Sequence, residues 1–336
     1  MTATLNPPAP LLQVENLVVE FPGRRGTLRA LDGVSFSIAP GEILGMVGES
    51  GAGKSLTGAA VIGLLEPPGR IAGGRILLHG ERIDDLPPER LRRIRGKRIG
   101  AIFQDPLTSL NPLYTVGRQL VETIQTHLPL NAAQARERAI ELLRDTGIPA
   151  PEQRIDHHPH QFSGGMRQRV VIALALAAEP ELIVADEPTT ALDVSIQAQI
   201  IGLLRTVCRQ RGAAVLLITH DMGVIAETCD RVAVMYAGRV AEIGPVASVI
   251  HRPAHPYTAG LMACIPDMVR DPRERLNQID GAMPRLDAIP GGCAYHPRCP
   301  HAGDDARCTT QRPALVAAGA TQAACWRHDV RWGTST

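Results

Sequence analysis

The octapeptide GESGAGKS, Gly48 to Ser55, limits what this chain can fold into more than any other stretch. It fits the pattern G-x-x-x-x-G-K-[ST], follows the strand-like run EILGMV and precedes the helix-like run LTGAAVIGLL. Strand, loop and helix in that order are the setting in which the pattern cradles phosphate. The glycines let backbone N–H groups turn inward around phosphate oxygens, and the helix N-terminus adds positive potential. Gly48, Ser50, Gly51 and Gly53 are the candidate loop contacts. Lys54 is placed to reach the β- and γ-phosphates, and Ser55 to ligate Mg²⁺. The bland alternative, a Gly-rich turn that happens to contain a lysine, loses because residues and setting agree.

The rest of the first 250 residues supplies the fold such a loop needs. LLQVENLVVEF and VSFSIAPGEILGMVG run apolar in short blocks and predict strands. NAAQARERAIELLRDTGIP predicts a helix: Ala135, Ala139, Leu142 and Leu143 share a face, Asn131 can cap it and Gly147 can end it. ELIVAD and AAVLLITH are unbroken apolar runs of the kind that form buried parallel strands. Between them, SIQAQIIGLLRTVCRQRG puts Ile196, Ile200, Leu203 and Val207 on one helical face. The alternation predicts an α/β domain with a parallel core sheet. LIVADEP ends its strand in two acids. Asp186 falls at the carboxyl end of the strand, where such sheets bind ligands, and is a candidate Mg²⁺ holder; Glu187 can polarise an attacking water.

Bulk properties remove several classes. The 336 residues suffice for two compact domains. With 35 basic and 34 acidic residues the chain lacks the concentrated positive charge of a nucleic-acid binder. No apolar run reaches the roughly 18 residues that span a bilayer, and MTATLNPPAP lacks the pattern of a signal peptide. The expectation is a cytosolic protein that needs a partner to act across a membrane. Residues 1–10 read as a loose tail. After about residue 250, proline, histidine and cysteine rise and long periodic segments stop, which places a boundary there.

FSGGMRQR, Phe162 to Arg169, lies between the phosphate loop and LIVADEP, and LLITHD puts His220 at a strand end. In this order the motifs resemble the ATP-binding subunits of ABC transporters, over residues 11–250. The resemblance implies a phosphate-loop ATPase domain with a helical subdomain at about 105–175. It also implies two such domains closing head to tail over ATP. Ser163, Gly164 and Gly165 would then meet the γ-phosphate of the partner's ATP, although Phe162 and Met166 depart from the common form of this signature. Gln104, in FQDPLTSLNP, matches the loop that senses Mg²⁺ and the lytic water. Asp193 matches the loop that crosses the dimer interface, His220 the histidine that contacts the γ-phosphate, and Phe21 the ring that stacks on adenine.

Two C-terminal segments narrow the resemblance. HRPAHPYTAGLMACIP and PRLDAIPGGCAYHPRCP are similar to segments of the oligopeptide and dipeptide importer ATPases, a group that includes glutathione and nickel importers. The match is to the "D" type subunit. It implies a second ATPase (an "F" type relative or another copy), two membrane permeases, an extracytoplasmic binding protein, and residence on the cytoplasmic face of the inner membrane. The other function class is a non-transport ABC ATPase whose C-terminal region is a metal-binding regulatory module. Cys293, Cys299, Cys308 and Cys325 sit in this extension at spacings that fit neither common zinc knuckles nor the usual ferredoxin pattern. Some of the resembling subunits carry a [4Fe–4S] cluster on cysteines placed like these. The expectation is such a cluster, with Zn²⁺ as the alternative and unligated thiols third.

Overall fold

The computed structural model describes residues 9–24, 26–190, 192–265 and 277–329. Most of the expected N-terminal tail, Pro266 and the final seven residues lie outside them. In chain order the strands are β1 (Leu12–Gly23), β2 (Gly26–Ile38), β3 (Ile43–Val47), β4 (Arg70–Leu78), β5 (Glu81–Arg82), β6 (Ile99–Ile102), β7 (Leu182–Asp186), β8 (Ala214–Ile218), β9 (Arg231–Tyr236), β10 (Arg239–Pro245), β11 (Val316–Ala318) and β12 (Thr321–Ala323).

Two sheets form. An antiparallel sheet has the order β2-β1-β4-β5. The larger sheet runs β11-β12-β10-β9-β3-β8-β7-β6, and its neighbours from β9 to β6 are parallel. Every residue of β3 and β8 is buried, which is why these strands read as unbroken apolar runs rather than alternating ones. Each fully buried Leu, Ile or Val there contributes roughly 1.5–3 kcal/mol.

Register brings the functional strand ends together. Met46 of β3 pairs with Ile218 of β8, and Asp186 of β7 pairs with the same Ile218. The segments that follow these three strands therefore leave the sheet side by side. They are the phosphate loop, the Glu187 turn and the His220 turn, all at the carboxyl edge where open α/β sheets bind ligands.

Apolar side chains gather in three clusters. One joins the sheet to the helices Val116–His127, Ala132–Asp145 and Gly164–Leu176. The second fills the space between the two sheets. In the third, β9 and β10 pack against the C-terminal extension through Tyr236, Tyr257 and Tyr295, with Cys293 and Cys299 at its margin. Helix ends follow local chemistry. Asn131 and Gln134 make a reciprocal capping box, and Gly212, with φ 69°, ends the helix Val194–Arg211.

The extension is tied to the larger sheet. β12 pairs with β10, Glu242 opposite Ala323 and Ile243 opposite Gln322. The fully buried Glu242 carboxylate accepts the Ala254 and His255 N–H groups at 2.9 Å each and the Thr321 hydroxyl at 3.1 Å. A buried carboxylate is tolerated only with such partners.

Candidate active site

Gly48 leaves β3 with φ 154°, and a Cβ there would stand 2.3 Å from the Met235 carbonyl oxygen, so only glycine fits. The loop then turns through Gly51 and Gly53, both at positive φ, into the helix Lys54–Val61. Lys54 is 6% exposed, and its Nζ donates to the carbonyls of Gly48 (2.8 Å) and Glu49 (3.1 Å). Burial pulls its pKa down, while the charges of Glu187, Asp186 and Glu49 pull the other way.

Ser55 Oγ donates to Asp186 Oδ1 at 2.9 Å, across 131 residues of sequence. Burial pushes the Asp186 carboxyl above its ordinary range; Ser55 resists this and the Glu187 charge adds to it. A hydroxyl and a carboxylate that share one point, with the carboxylate strained by burial and a like charge, fit the oxygen-ligand chemistry of Mg²⁺.

Glu187 has φ 45°, its N–H is tied to the Ile218 carbonyl at 2.8 Å, and three side chains surround its carboxylate. Thr190 Oγ1 donates to Oε2 at 2.9 Å and Gln104 Nε2 to the same oxygen at 3.2 Å. His220 Nδ1 faces Oε1 at 3.3 Å. Burial pushes the carboxyl up, but Thr190, His220 and Lys54 outweigh it and hold the pKa below the ordinary range. Glu187 is therefore an ionised acceptor at neutral pH.

A cavity of ≈ 710 Å³ opens above these groups, within the range of small-ligand sites. Its walls include Phe21, Ser50, Gly51, Gly53, Lys54, Ser55, Gln104, Glu187 and His220. Gly48 and Asp186 stand directly behind it, through Lys54 and Ser55. Three wall residues had no sequence signal: Ala30 on β2, Leu56 beside Ser55, and Leu286, which arrives from the extension. Thr190 also escaped the motif reading, although its three-residue spacing from Glu187 marks it as a possible partner.

Ser163, Gly164, Gly165 and Asp193 do not line this cavity. Ser163 caps the helix Gly164–Leu176, and its Oγ accepts the Met166 N–H at 3.4 Å. A Cβ on Gly165 would meet Ile196 at 2.8 Å, so glycine lets the signature helix approach the next one. Asp193 caps the helix Val194–Arg211 through Ile196 N–H at 3.0 Å and accepts the Ser195 hydroxyl.

The extension thiols are drawn together from four points of the chain. The Cys293 N–H bonds the Cys308 carbonyl at 2.9 Å. Burial pushes the Cys293 thiol up to about 11, and the neighbouring Cys325, Cys299 and Cys308 push the same way. Among the described residues, however, no group of three or more His, Cys, Asp or Glu side chains is placed to hold a metal ion.

The ABC transporter family pattern matches residues 31–190, and the pattern for the C-terminal region of oligopeptide/dipeptide transporters matches residues 241–308. A probable peptide ABC transporter ATP-binding protein of Sinorhizobium fredii is 48% identical over 96% of this chain and 97% of its own length. The chain belongs to the ABC transporter ATP-binding proteins. A dipeptide transport ATP-binding protein of Escherichia coli is 46% identical over 91% of this ABC chain and 92% of its own length. Among solved structures, an ATP-binding cassette dimer in a post-hydrolysis state, bound to ADP and Pi, superposes with a TM-score of 0.63. It is 29% identical and covers 70% of this chain and 98% of that one.

Proposed function

We propose that this chain is the ATP-hydrolysing subunit that powers peptide import through membrane partners. The observation that carries the hydrolytic part is the Glu187 carboxylate, held by Thr190, Gln104 and His220 beside the phosphate loop and the Ser55–Asp186 pair. Phe21 and Leu286 offer apolar wall to a base, and Lys54 with the loop amides offers charge to the phosphates. Ser55, Asp186 and Gln104 are the residues that would hold Mg²⁺, which supplies charge neutralisation at the phosphates when bound. Glu187 orients the attacking water, and its depressed pKa suits alignment and late proton acceptance rather than early deprotonation. His220 lies on the other carboxylate oxygen, where it can touch both Glu187 and the terminal phosphate.

Ser163, Gly164 and Gly165 do not line the cavity of their own chain, and in this reading they meet the ATP of a second ATPase domain. A helix start bearing one serine and two glycines presents bare N–H donors and the positive end of a 13-residue helix. A Cβ on Gly164 would meet Leu192 at 3.6 Å, so Asp193, the next residue, is close enough to this helix start to add to that contact. The dimeric cassette among the similar structures supports this reading. The partner is a related "F" type subunit or a second copy.

Peptide import is supported by the extension pattern and by the names of the 46–48% identical relatives. No described helix is long and apolar enough to cross a membrane. In this reading two permeases supply the path and an extracytoplasmic binding protein the solute. Phe103 and Leu113, 48% and 79% exposed, flank the Gln104 loop and suit a permease contact on the cytoplasmic face. A Glu187→Gln protein in the assembled complex is expected to lose ATP hydrolysis by about 10²–10⁴-fold while still binding ATP. Parental turnover in that variant would overturn the role given to Glu187.

We further propose that Cys293, Cys299, Cys308 and Cys325 hold a [4Fe–4S] cluster. What supports this is the gathering of all four cysteines in the one extension, where the Cys293 N–H bonds the Cys308 carbonyl at 2.9 Å, together with the resemblance to importer subunits that carry such a cluster. Anaerobic purification should yield about four irons and four sulfides per chain. Stoichiometric zinc, or neither metal, would contradict it.

A further inference from the structure

Glu49, the first variable residue of the phosphate loop, has every polar group occupied, and two of its four partners come from the extension. Its N–H donates to the Tyr257 hydroxyl at 2.9 Å. Its carbonyl accepts Ala52 N–H at 3.1 Å and Lys54 Nζ at 3.1 Å. Its carboxylate meets Arg298 Nη1 at 3.0 and 3.2 Å. Tyr257 and Arg298 lie 208 and 249 residues further along the chain.

Arg298 is not a surface arginine that happens to reach an acid. Its side chain is 6% exposed. Nε donates to the Asp280 carbonyl at 2.8 Å, and Nη1 also reaches the Tyr236 hydroxyl at 3.4 Å. The guanidinium lies 5.8 and 6.0 Å from the Tyr236 and Tyr295 ring centres. Tyr257 is fully buried and packs edge-on to Tyr236 at 4.6 Å. A residue so restrained holds its partner in one place.

We infer that Arg298 and Tyr257 are positioning residues for ATP, acting through Glu49: Tyr257 fixes the peptide that presents a carbonyl to Lys54, and Arg298 neutralises a carboxylate that would otherwise repel the phosphates. The inference rests on the ATP-site reading above and deepens it, making the extension part of the nucleotide-binding apparatus. Electrostatics gives the direction. The Glu49 charge is already felt at Lys54, the residue that faces the phosphates. Unmasking it adds one negative charge near a polyanion, worth about tenfold in affinity at the effective dielectric of a protein surface.

The test is equilibrium binding of ATP to the full chain, with Km and kcat in the assembled complex. Arg298→Met is expected to weaken ATP binding about tenfold and to raise Km more than it lowers kcat. Glu49→Gln should bind ATP at least as tightly as the parent, and the Glu49→Gln, Arg298→Met double variant should recover most of the loss. That recovery separates charge masking from a merely structural role. Tyr257→Phe, which removes only the hydroxyl, should weaken binding with the same Km bias and provides a readout if Arg298→Met does not fold. A folded Arg298→Met protein of parental affinity, or a double variant as weak as the single, would overturn the inference alone. A parental chain that binds no ATP would overturn the site reading and this inference with it.

Discussion

At the scale of single residues, what governs the site is how little room each group has. Gly48 has its missing Cβ 2.3 Å from a backbone oxygen that cannot move without moving β9. Gly48→Ala should therefore destabilise the chain by about 3 kcal/mol, with a fall in Tm of several degrees in a thermal melt, and should displace Lys54, so that ATP binding falls as well. An unchanged Tm would mean that the loop tolerates the side chain. Residues of this kind were readable in the sequence because the phosphate loop, Asp186–Glu187 and Ser163–Gly165 are contiguous motifs whose spacing is itself the chemistry. Thr190, Leu286, Tyr257 and Arg298 were not. Thr190 sits only three residues from Glu187 but belongs to no motif, while the contacts of Leu286, Tyr257 and Arg298 depend on tertiary folding across up to 249 residues, which no local period announces. Asp193 shows a third case: it was read as an interface residue, and it also caps a helix, which the Asp-x-Ser-Ile sequence could have suggested.

At the scale of elements, local rules served well where a pattern repeats. The run 131–147 gave a helix capped by Asn131 with Gly147 at φ 72°, and the unbroken runs became buried parallel strands. They served less well where elements are short. β11 and β12 have three residues each, too few for an alternation to register, yet they extend the ATPase sheet past β10. The helix Pro256–Ala263, which carries Tyr257, is anchored by His255: its Nδ1 accepts the Tyr257 N–H at 3.0 Å and its own N–H bonds Glu242. Burial, with His328 adding its charge, lowers the His255 pKa to about 4, against a weaker pull upward from the Ala324 backbone. The ring is neutral in both folded and unfolded chains above about pH 6.5. As pH falls from there toward 4, the unfolded chain takes up a proton that the folded chain refuses, so folded stability drops by about 3 kcal/mol. His255→Asn keeps a side-chain acceptor for the helix cap without the titration. Denaturant unfolding from pH 7 to 4 should show an acid loss smaller by about that amount; an identical loss would contradict the assignment.

At the scale of the whole molecule, the chain reads as a motor whose parts are deliberately incomplete. The phosphate loop, Glu187 and His220 line one cavity and Ser163, Gly164 and Gly165 do not, which is why we propose that these three serve the site of another domain. The extension, which differs in composition from the ATPase, packs against β9 and β10 and reaches the phosphate loop through Arg298 and Tyr257. The sequence made the architecture legible because a single ordered set of motifs implies it. It left the coupling between extension and loop unseen, because that coupling is a matter of packing three tyrosines and an arginine against one glutamate. The central claim is tested most directly by peptide-stimulated ATP hydrolysis in proteoliposomes containing this chain, its ATPase partner, the two permeases and the binding protein. The account predicts hydrolysis and peptide uptake that rise together with peptide and are both lost with Glu187→Gln. Hydrolysis indifferent to peptide and permeases, or unchanged by that substitution, would contradict it.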